Sequence, residues 1–178
     1  NALDLIQPQS ESHQKVLDFI ARNFKVNHLA GLLIGKYYRA KELGLELVFD
    51  PACHVETLPS SLSHNEWISI VGNLLDNAYN AALRQPAGSK QIECLINSEG
   101  GEAIVEIADQ GCGIDESLRD RIFERGVTSS ASKDHGIGLW LVRSYVEQAG
   151  GSIVVENNIP FGTIFTLYIP LTREEHHG

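Results

Sequence analysis

GNLLDNAYNAAL, residues 72–83, is the stretch on which the reading of this chain turns. It has the spacing of a buried helix: at about 100° per residue, Trp67, Val71, Leu74, Ala78 and Ala82 share one stripe. Yet Asn73, Asn77 and Asn80 occupy a narrow arc beside that stripe. Asparagine is a mediocre helix former, and a buried amide without partners is costly. The three are either solvent-facing residues with no task or amides held at the border of the buried face for a ligand. Each amide both donates and accepts, and its neutral carbonyl oxygen is a hard donor of the kind Mg²⁺ takes. The helix alone leaves the two readings even.

Working outward, Ser63-His64-Asn65-Glu66 has the form of a capping box that opens this helix, and QPAGSK, residues 85–90, ends it with turn chemistry. QIECLINS (91–98) and EAIVEIADQG (102–111) alternate as strands and are joined by Glu-Gly-Gly in a hairpin. A short helix is expected over roughly 115–123. ERGVTSSASKDHG (124–136) is small and polar and reads as a mobile loop. GLWLVRSYVEQAG (138–150) is amphipathic and stops at Gly150; GSIVVENN and GTIFTLYIPL form a closing strand pair around Pro160 and Gly162. Ahead of all this, VLDFIARNF and HLAGLLIGKYYRAKEL have helical spacing, with Pro8 expected to interrupt the first part and Leu43-Gly44 to stop the second. LELVFDP (45–51) is a short strand ended by Pro51. The order is a helical arm, then β-α-β-β-α-loop-α-β-β. That order predicts an α+β, two-layer α/β sandwich: a mixed, mostly antiparallel sheet covered by helices on one face. A helical arm of this kind packs on another helix, in the same chain or in a partner.

Composition narrows the function classes. With 43% hydrophobic and 21% charged residues in 178, the chain can bury a real core. Its 14 basic and 23 acidic residues give a net charge of -9, which argues against a nucleic-acid binder. A phosphate ligand stays open, because backbone N–H groups and helix N-termini bind anions without net basic charge. Cys53, Cys94 and Cys112 are odd in number and widely spaced, with no CxxC, which fits a reducing compartment without disulfides or a metal cluster. No signal-peptide pattern is present, and LAGLLIG (29–35) is too short to span a bilayer, so no membrane contact is expected of this stretch itself. The chain starts with Asn rather than Met and is read as an excised fragment.

Two glycine loops carry the remaining chemistry. DQGCGI (109–114) follows a strand directly; its glycines let the backbone approach a planar ligand, and Asp109 offers an acceptor for an exocyclic amine. In HGIGLWLV (135–142), Gly136 and Gly138 open an amphipathic helix whose free N–H groups and dipole suit phosphates, with Lys133 or Arg125 as charge partners from the loop before it. Read singly, each loop is also explained by turn geometry or close helix packing. Neither a Walker loop nor a dinucleotide fingerprint is present.

The order of these pieces resembles the ATP-binding domain shared by sensor histidine kinases, gyrase-type topoisomerases, the Hsp90 chaperones and mismatch-repair ATPases, over about residues 63–170. NLLDNAYNAA is similar to the N box, DQGCGI to the G1 box, RIFERGVTSS to the F box and HGIGLWLV to the G2 box, with GTIFTLYIPL as the final strand. The resemblance implies a Bergerat-type fold and Mg²⁺-ATP as ligand. It implies Mg²⁺ on Asn77, with Asn73 and Asn80 near the metal and phosphates. Asp109 would accept from the adenine amine, Gly111, Gly113 and Ile114 would line the base site, and Thr163 would approach it. Gly136, Gly138 and Leu139 would receive phosphates, and Phe123 would anchor a lid that carries Lys133.

Position 73 bears on the branch. Hydrolytic members carry a Glu there as general base, whereas Asn73 has an amide that cannot take a proton. Asp76, by helical angle, faces away from the asparagine arc and is no substitute. This points to the kinase branch, in which another domain supplies the nucleophile. LAGLLIGKYYRAKELGLEL (29–47) resembles the end of the dimerisation region in bacterial citrate and C4-dicarboxylate sensor kinases. The acceptor motif H-E-[FL]-x-N is missing: His13 and His28 lack its context and read as surface or packing residues, and His176 and His177 as solvated ones. The expectation is therefore residues 1–44 as a helical arm, 45–172 as the ATP-binding catalytic domain and 173–178 as a tail. The activity expected is γ-phosphoryl transfer to an upstream His outside the chain, for relay to a response regulator, with this stretch as the cytoplasmic portion of an inner-membrane sensor that is a homodimer at full length. The rivals are a nucleotide-binding or dimerisation module without catalysis, a hydrolytic ATPase of the same fold, and an anti-sigma-type serine kinase.

Overall fold

The computed structural model describes residues 2–126 and 135–171, with side chains over 11–126 and 138–171. The expected loop residues 127–134, Lys133 among them, and the tail lie outside that set.

Helix α1 (Ala2–Asn23) runs through Pro8, where an interruption was expected. Pro8 lies within two turns of the helix start, so the missing N–H weakens only a short end segment. Phe24 bridges to Val55, and Lys25 N–H donates to the Val55 carbonyl at 2.8 Å, before α2 (Asn27–Glu42) begins. The stop lies where the sequence put it, with Leu43 as cap and Gly44 at φ +74°. Leu29, Leu33, Tyr37 and Ala40 form the buried face of α2, which packs on α3 (His64–Leu83). The arm thus finds its helix partner in the same chain. Phe19 and Phe24 meet Phe49 of β1 (Glu46–Phe49) at ring-centroid distances of 6.0 Å.

Ser63 and Glu66 form the capping box at the start of α3: Glu66 N–H donates to Ser63 Oγ at 3.2 Å and Ser63 N–H to Glu66 Oε1 at 2.9 Å. Leu74 and Leu75 are fully buried on this helix, each contributing about 1.5–3 kcal/mol by removal from water.

Strands β2 (Gln91–Asn97) and β3 (Glu102–Asp109) form the expected hairpin, and β4 (Ser152–Asn157) and β5 (Thr163–Pro170) the closing pair. The sheet order is β1-β2-β3-β5-β4, with β1 parallel to β2 and every other pairing antiparallel. Alternate residues, such as Ala103, Val105 and Ile107 on β3 and Phe165, Leu167 and Ile169 on β5, turn into the core beneath the helices. The result is the α+β sandwich with a mixed, mostly antiparallel sheet that the element order predicts.

The short helix shrinks to a 3-10 turn, Arg119–Arg121. Asp115 Oδ1 accepts from both the N–H and the hydroxyl of Ser117, and Arg119 donates to Asn157 Oδ1 at 2.9 Å and the Val155 carbonyl at 3.0 Å. Tertiary bonds to β4 therefore fix this segment where a helical ladder does not. Helix α4 (His135–Gln148) closes against α3 and ends before Gly150, at φ +72°.

Candidate functional site

Asp109 is the last residue of β3 and pairs directly with Thr163, the first of β5. Their exposures are 1% and 4%, and with Thr166 they are the buried polar side chains among the described residues. Asp109 Oδ1 accepts from Gly111 N–H at 2.8 Å, and the Thr163 N–H also bonds the carboxylate. Burial nevertheless wins over these two donors and pushes the carboxyl up to about 6. The Asp109 carbonyl accepts from Asn158 Nδ2 at 2.8 Å, which locks the strand end to the β4–β5 turn. A carboxylate sunk this deep, with backbone donors on it, is a fixed acceptor at the edge of the sheet.

The loop that follows lies directly on α3. A Cβ on Gly111 would sit 2.4 Å from the Ala81 carbonyl carbon, so only glycine permits this approach, and Cys112 N–H donates to the Ala81 carbonyl at 3.1 Å. The contact brings the Asp109 loop to the last turn of the helix that carries the asparagines. Ile114, half-buried, packs on the core beyond it.

The three asparagines are all half-buried, at the border the sequence predicts, with Leu74, Leu75 and Ala78 buried beside them. Their surroundings differ. Asn73 Nδ2 donates to the Ser69 carbonyl at 2.7 Å and Ser69 Oγ at 3.1 Å. The Asn77 side chain has no hydrogen-bond partner among the described residues. Asp76 is exposed and pairs with Lys36 of α2 at 2.6 Å, away from the asparagine arc as its helical angle requires. Tyr79 Oη donates to the Lys36 carbonyl at 2.8 Å, so the same stretch of α2 is held twice.

Helix α4 meets α3 at Gly138, which lies against Asn73; a Cβ there would be 2.8 Å from Asn73 Oδ1. Gly136 lies in the first turn of α4, and Leu139, half-buried, packs on the core. Phe123 sits edge-on to Phe165 at 6.3 Å with the Arg143 guanidinium 5.8 Å from its ring centroid. Arg125, a candidate charge partner, lies over the Trp140 ring at 5.3 Å. The structure thus gathers Asp109, Gly111 and Thr163 at one strand end, joins them to α3 through Ala81, and joins α3 to α4 through Asn73 and Gly138. Sequence reading missed Ser69 and Asn158. Ser69 was legible as the residue four before Asn73; nothing local marks Asn158.

Residues 64–173 match the family described as Histidine kinase-, DNA gyrase B-, and HSP90-like ATPase. The chain belongs to this family. The likeness to the citrate and C4-dicarboxylate sensor kinases holds as well. The chain is 89% identical over 177 residues to sensor histidine kinase CitA of Klebsiella pneumoniae, covering 99% of this chain and 32% of that protein. It is 31% identical over 172 residues to a probable C4-dicarboxylate sensor kinase of Halalkalibacterium halodurans, covering 97% of this chain and 32% of that one. Among solved structures, full-length ShkA in complex with AMPPNP superimposes with a TM-score of 0.61 at 26% identity, covering 81% of this chain and 29% of that chain. The chain spans about a third of the length of the curated relatives it matches. Within the family, this is the catalytic ATP-binding domain of the sensor-kinase kind. Among the described residues no helix is long and apolar enough to cross a membrane.

Proposed function

We propose that this domain binds Mg²⁺-ATP and delivers the γ-phosphoryl group to a histidine on an upstream helix outside the chain. The observation that carries the reading is the buried Asp109 carboxyl at the end of β3, bonded by the Gly111 and Thr163 N–H groups and facing the asparagine helix through the Ala81 contact.

The residues fit the ligand. The adenine amine donates a hydrogen bond and is held best by a fixed, charged acceptor, and a buried carboxyl at about 6 is largely ionised at neutral pH. Gly111 and Gly113 leave the base a surface without side chains, with Ile114 and Thr163 beside it. Gly136, Gly138 and Leu139 at the N-terminal end of α4 direct N–H groups at the phosphates, with Lys133 as cation and Phe123 as lid anchor. Among the described residues no cluster of three or more His, Cys, Asp or Glu could hold a metal ion. Mg²⁺ asks for little more than one or two protein oxygens when phosphates and water supply the rest, and the unpartnered amide of Asn77 is the oxygen we assign, with Asn80 beside it.

Bound Mg²⁺-ATP supplies the phosphoryl group and the charge that screens it. The chain itself contributes grip and aim: Asp109 orients the base, the α4 end orients the phosphates, and closure excludes water. Asn73 cannot act as a general base toward water, which keeps phosphoryl transfer ahead of hydrolysis. Residues 1–44 would be the trailing part of a dimerisation region, 45–172 the catalytic domain and 173–178 a tail. The whole protein would be a homodimeric sensor with this part in the cytoplasm, passing phosphate to a response regulator. The test is phosphotransfer in a longer chain that includes the upstream helix. Acid-labile phosphate on a histidine supports the proposal; acid-stable phosphoserine on a partner contradicts it.

A further inference from the structure

We propose that Asn73 is a positioning residue that seats the phosphate-binding end of α4 on α3. The inference rests on the reading of Gly138 as part of the phosphate site. Asn73 Nδ2 donates to Ser69, to its carbonyl at 2.7 Å and its hydroxyl at 3.1 Å. The amide nitrogen is therefore held to its own helix. Its oxygen faces the other helix: it lies so close to Gly138 that a methyl group there would stand 2.8 Å from it, and 3.3 Å from Asn73 Cγ. An unpinned side chain would swing aside at little cost, but this one would first have to break with Ser69. Ser69, Asn73 and Gly138 thus form a latch between the two helices. At the far end, Gln148 Nε2 and Glu66 Oε2 come within 3.4 Å, so α4 is tied to α3 near both of its ends. Asn77, one turn on, has no such engagement among the described residues and keeps its oxygen for the metal.

The latch explains what position 73 does in a domain whose proposed reaction needs no base there. Phosphate binding at a helix end depends on where the N–H groups point, and a displacement of about 1 Å is enough to cost a large factor in rate or affinity. A short, branched, doubly anchored amide is a stiffer spacer than a free glutamate.

A size-exchange cycle on the whole chain tests it. Gly138→Ala should weaken Mg²⁺-ATP binding about tenfold or more while leaving adenosine, which reaches only the Asp109 end, within about twofold; Asn73→Ala should then rescue Gly138→Ala by making room for the methyl group. Ser69→Ala, which removes one anchor and touches no ligand, should weaken Mg²⁺-ATP about two- to threefold. Amide hydrogen exchange without any ligand provides the readout that does not depend on the proposed function. Gly138→Ala should speed exchange in the first turns of α4 from Leu139 onward, and the double variant should restore it. If Asn73 is instead a direct ligand, the double variant binds no better than either single one, Ser69→Ala is silent and exchange in α4 does not change; any of these overturns the latch. Failure of the wild type to bind ATP would sink the proposed function while the exchange measurement still judges the latch.

Discussion

Asp109 carries the sharpest consequence at the scale of a single residue. Its carboxyl is held at about 6, above the ordinary 3.8, by burial. Between those two values the folded chain keeps a proton that the unfolded chain releases, so this group's contribution to stability falls as pH rises through that window and levels off above about 6. Carrying the ionised form at neutral pH costs the fold on the order of 3 kcal/mol. Asp109→Asn should therefore gain stability relative to the wild type between pH 4 and pH 7, in thermal melts of the ligand-free chain, while losing nucleotide affinity above about pH 6, where the wild-type carboxyl is ionised. In the wild type, affinity should decline as pH drops through about 6, because a protonated carboxyl no longer offers the amine an ionised acceptor. A variant that melts lower throughout would mean the carboxylate stabilises the fold and is not kept at a cost for a ligand. The cysteines give a second residue-scale prediction. Cys53 is buried and its thiol pushed up to about 11, the buried Cys94 thiol is also raised well above its ordinary value by burial, and Cys112 is exposed in the loop after Asp109. A maleimide should label Cys112 first, and Mg²⁺-ATP should slow that labelling. Equal rates with and without nucleotide would place the ligand elsewhere.

At the scale of elements, the contact between the Asp109 loop and α3 governs the site. Gly111→Ala would drive a methyl group into the backbone of Ala81, and overpacking of this kind costs about 1–3 kcal/mol. The expected result is a lower melting temperature together with weakened nucleotide binding, since the loop must lift off the helix; unchanged binding would mean that the loop position is irrelevant. The same contact shows where local sequence reasoning stops. The capping box, the stripe of α3, the hairpin of β2 and β3 and the stop at Gly44 were legible because each is written within a few residues. The approach of Gly111 to Ala81, the contact of Asn73 with Gly138 and the bond from Asn158 to the Asp109 carbonyl arise from packing between elements distant in sequence. The 115–123 segment failed as a helix for the same reason: Arg119 draws its bonds from β4, 36 and 38 residues away.

For the whole molecule, the question is how the two N-terminal helices belong to the rest. Ile20 and Phe24 are buried with the core residues of α2 and β1, and the backbone at Lys25 and Val55 is hydrogen-bonded across the junction. The helices are thus part of the core's packing, although the pattern of residues 16–43 alone read as an arm that could as well have met a partner chain. Ile20→Ala should cost about 2–4 kcal/mol and lower a single cooperative unfolding transition. A loosely attached arm would instead leave the main transition in place. The Lys36–Asp76 pair and the Tyr79 bond to the Lys36 carbonyl tie α2 to the turn of α3 that bears Asn77, so movement of the N-terminal helices would be felt one residue from the proposed metal ligand.

Calorimetric titration of the chain with ATP, with and without Mg²⁺, in the wild type and in Asn77→Ala, tests the central claim most directly. The account predicts that Mg²⁺ strengthens wild-type binding by about tenfold or more, close to 1.4 kcal/mol. It also predicts that Asn77→Ala loses that gain while retaining metal-free binding. Metal-dependent affinity that survives Asn77→Ala intact, or no ATP binding by the wild type at all, would contradict it.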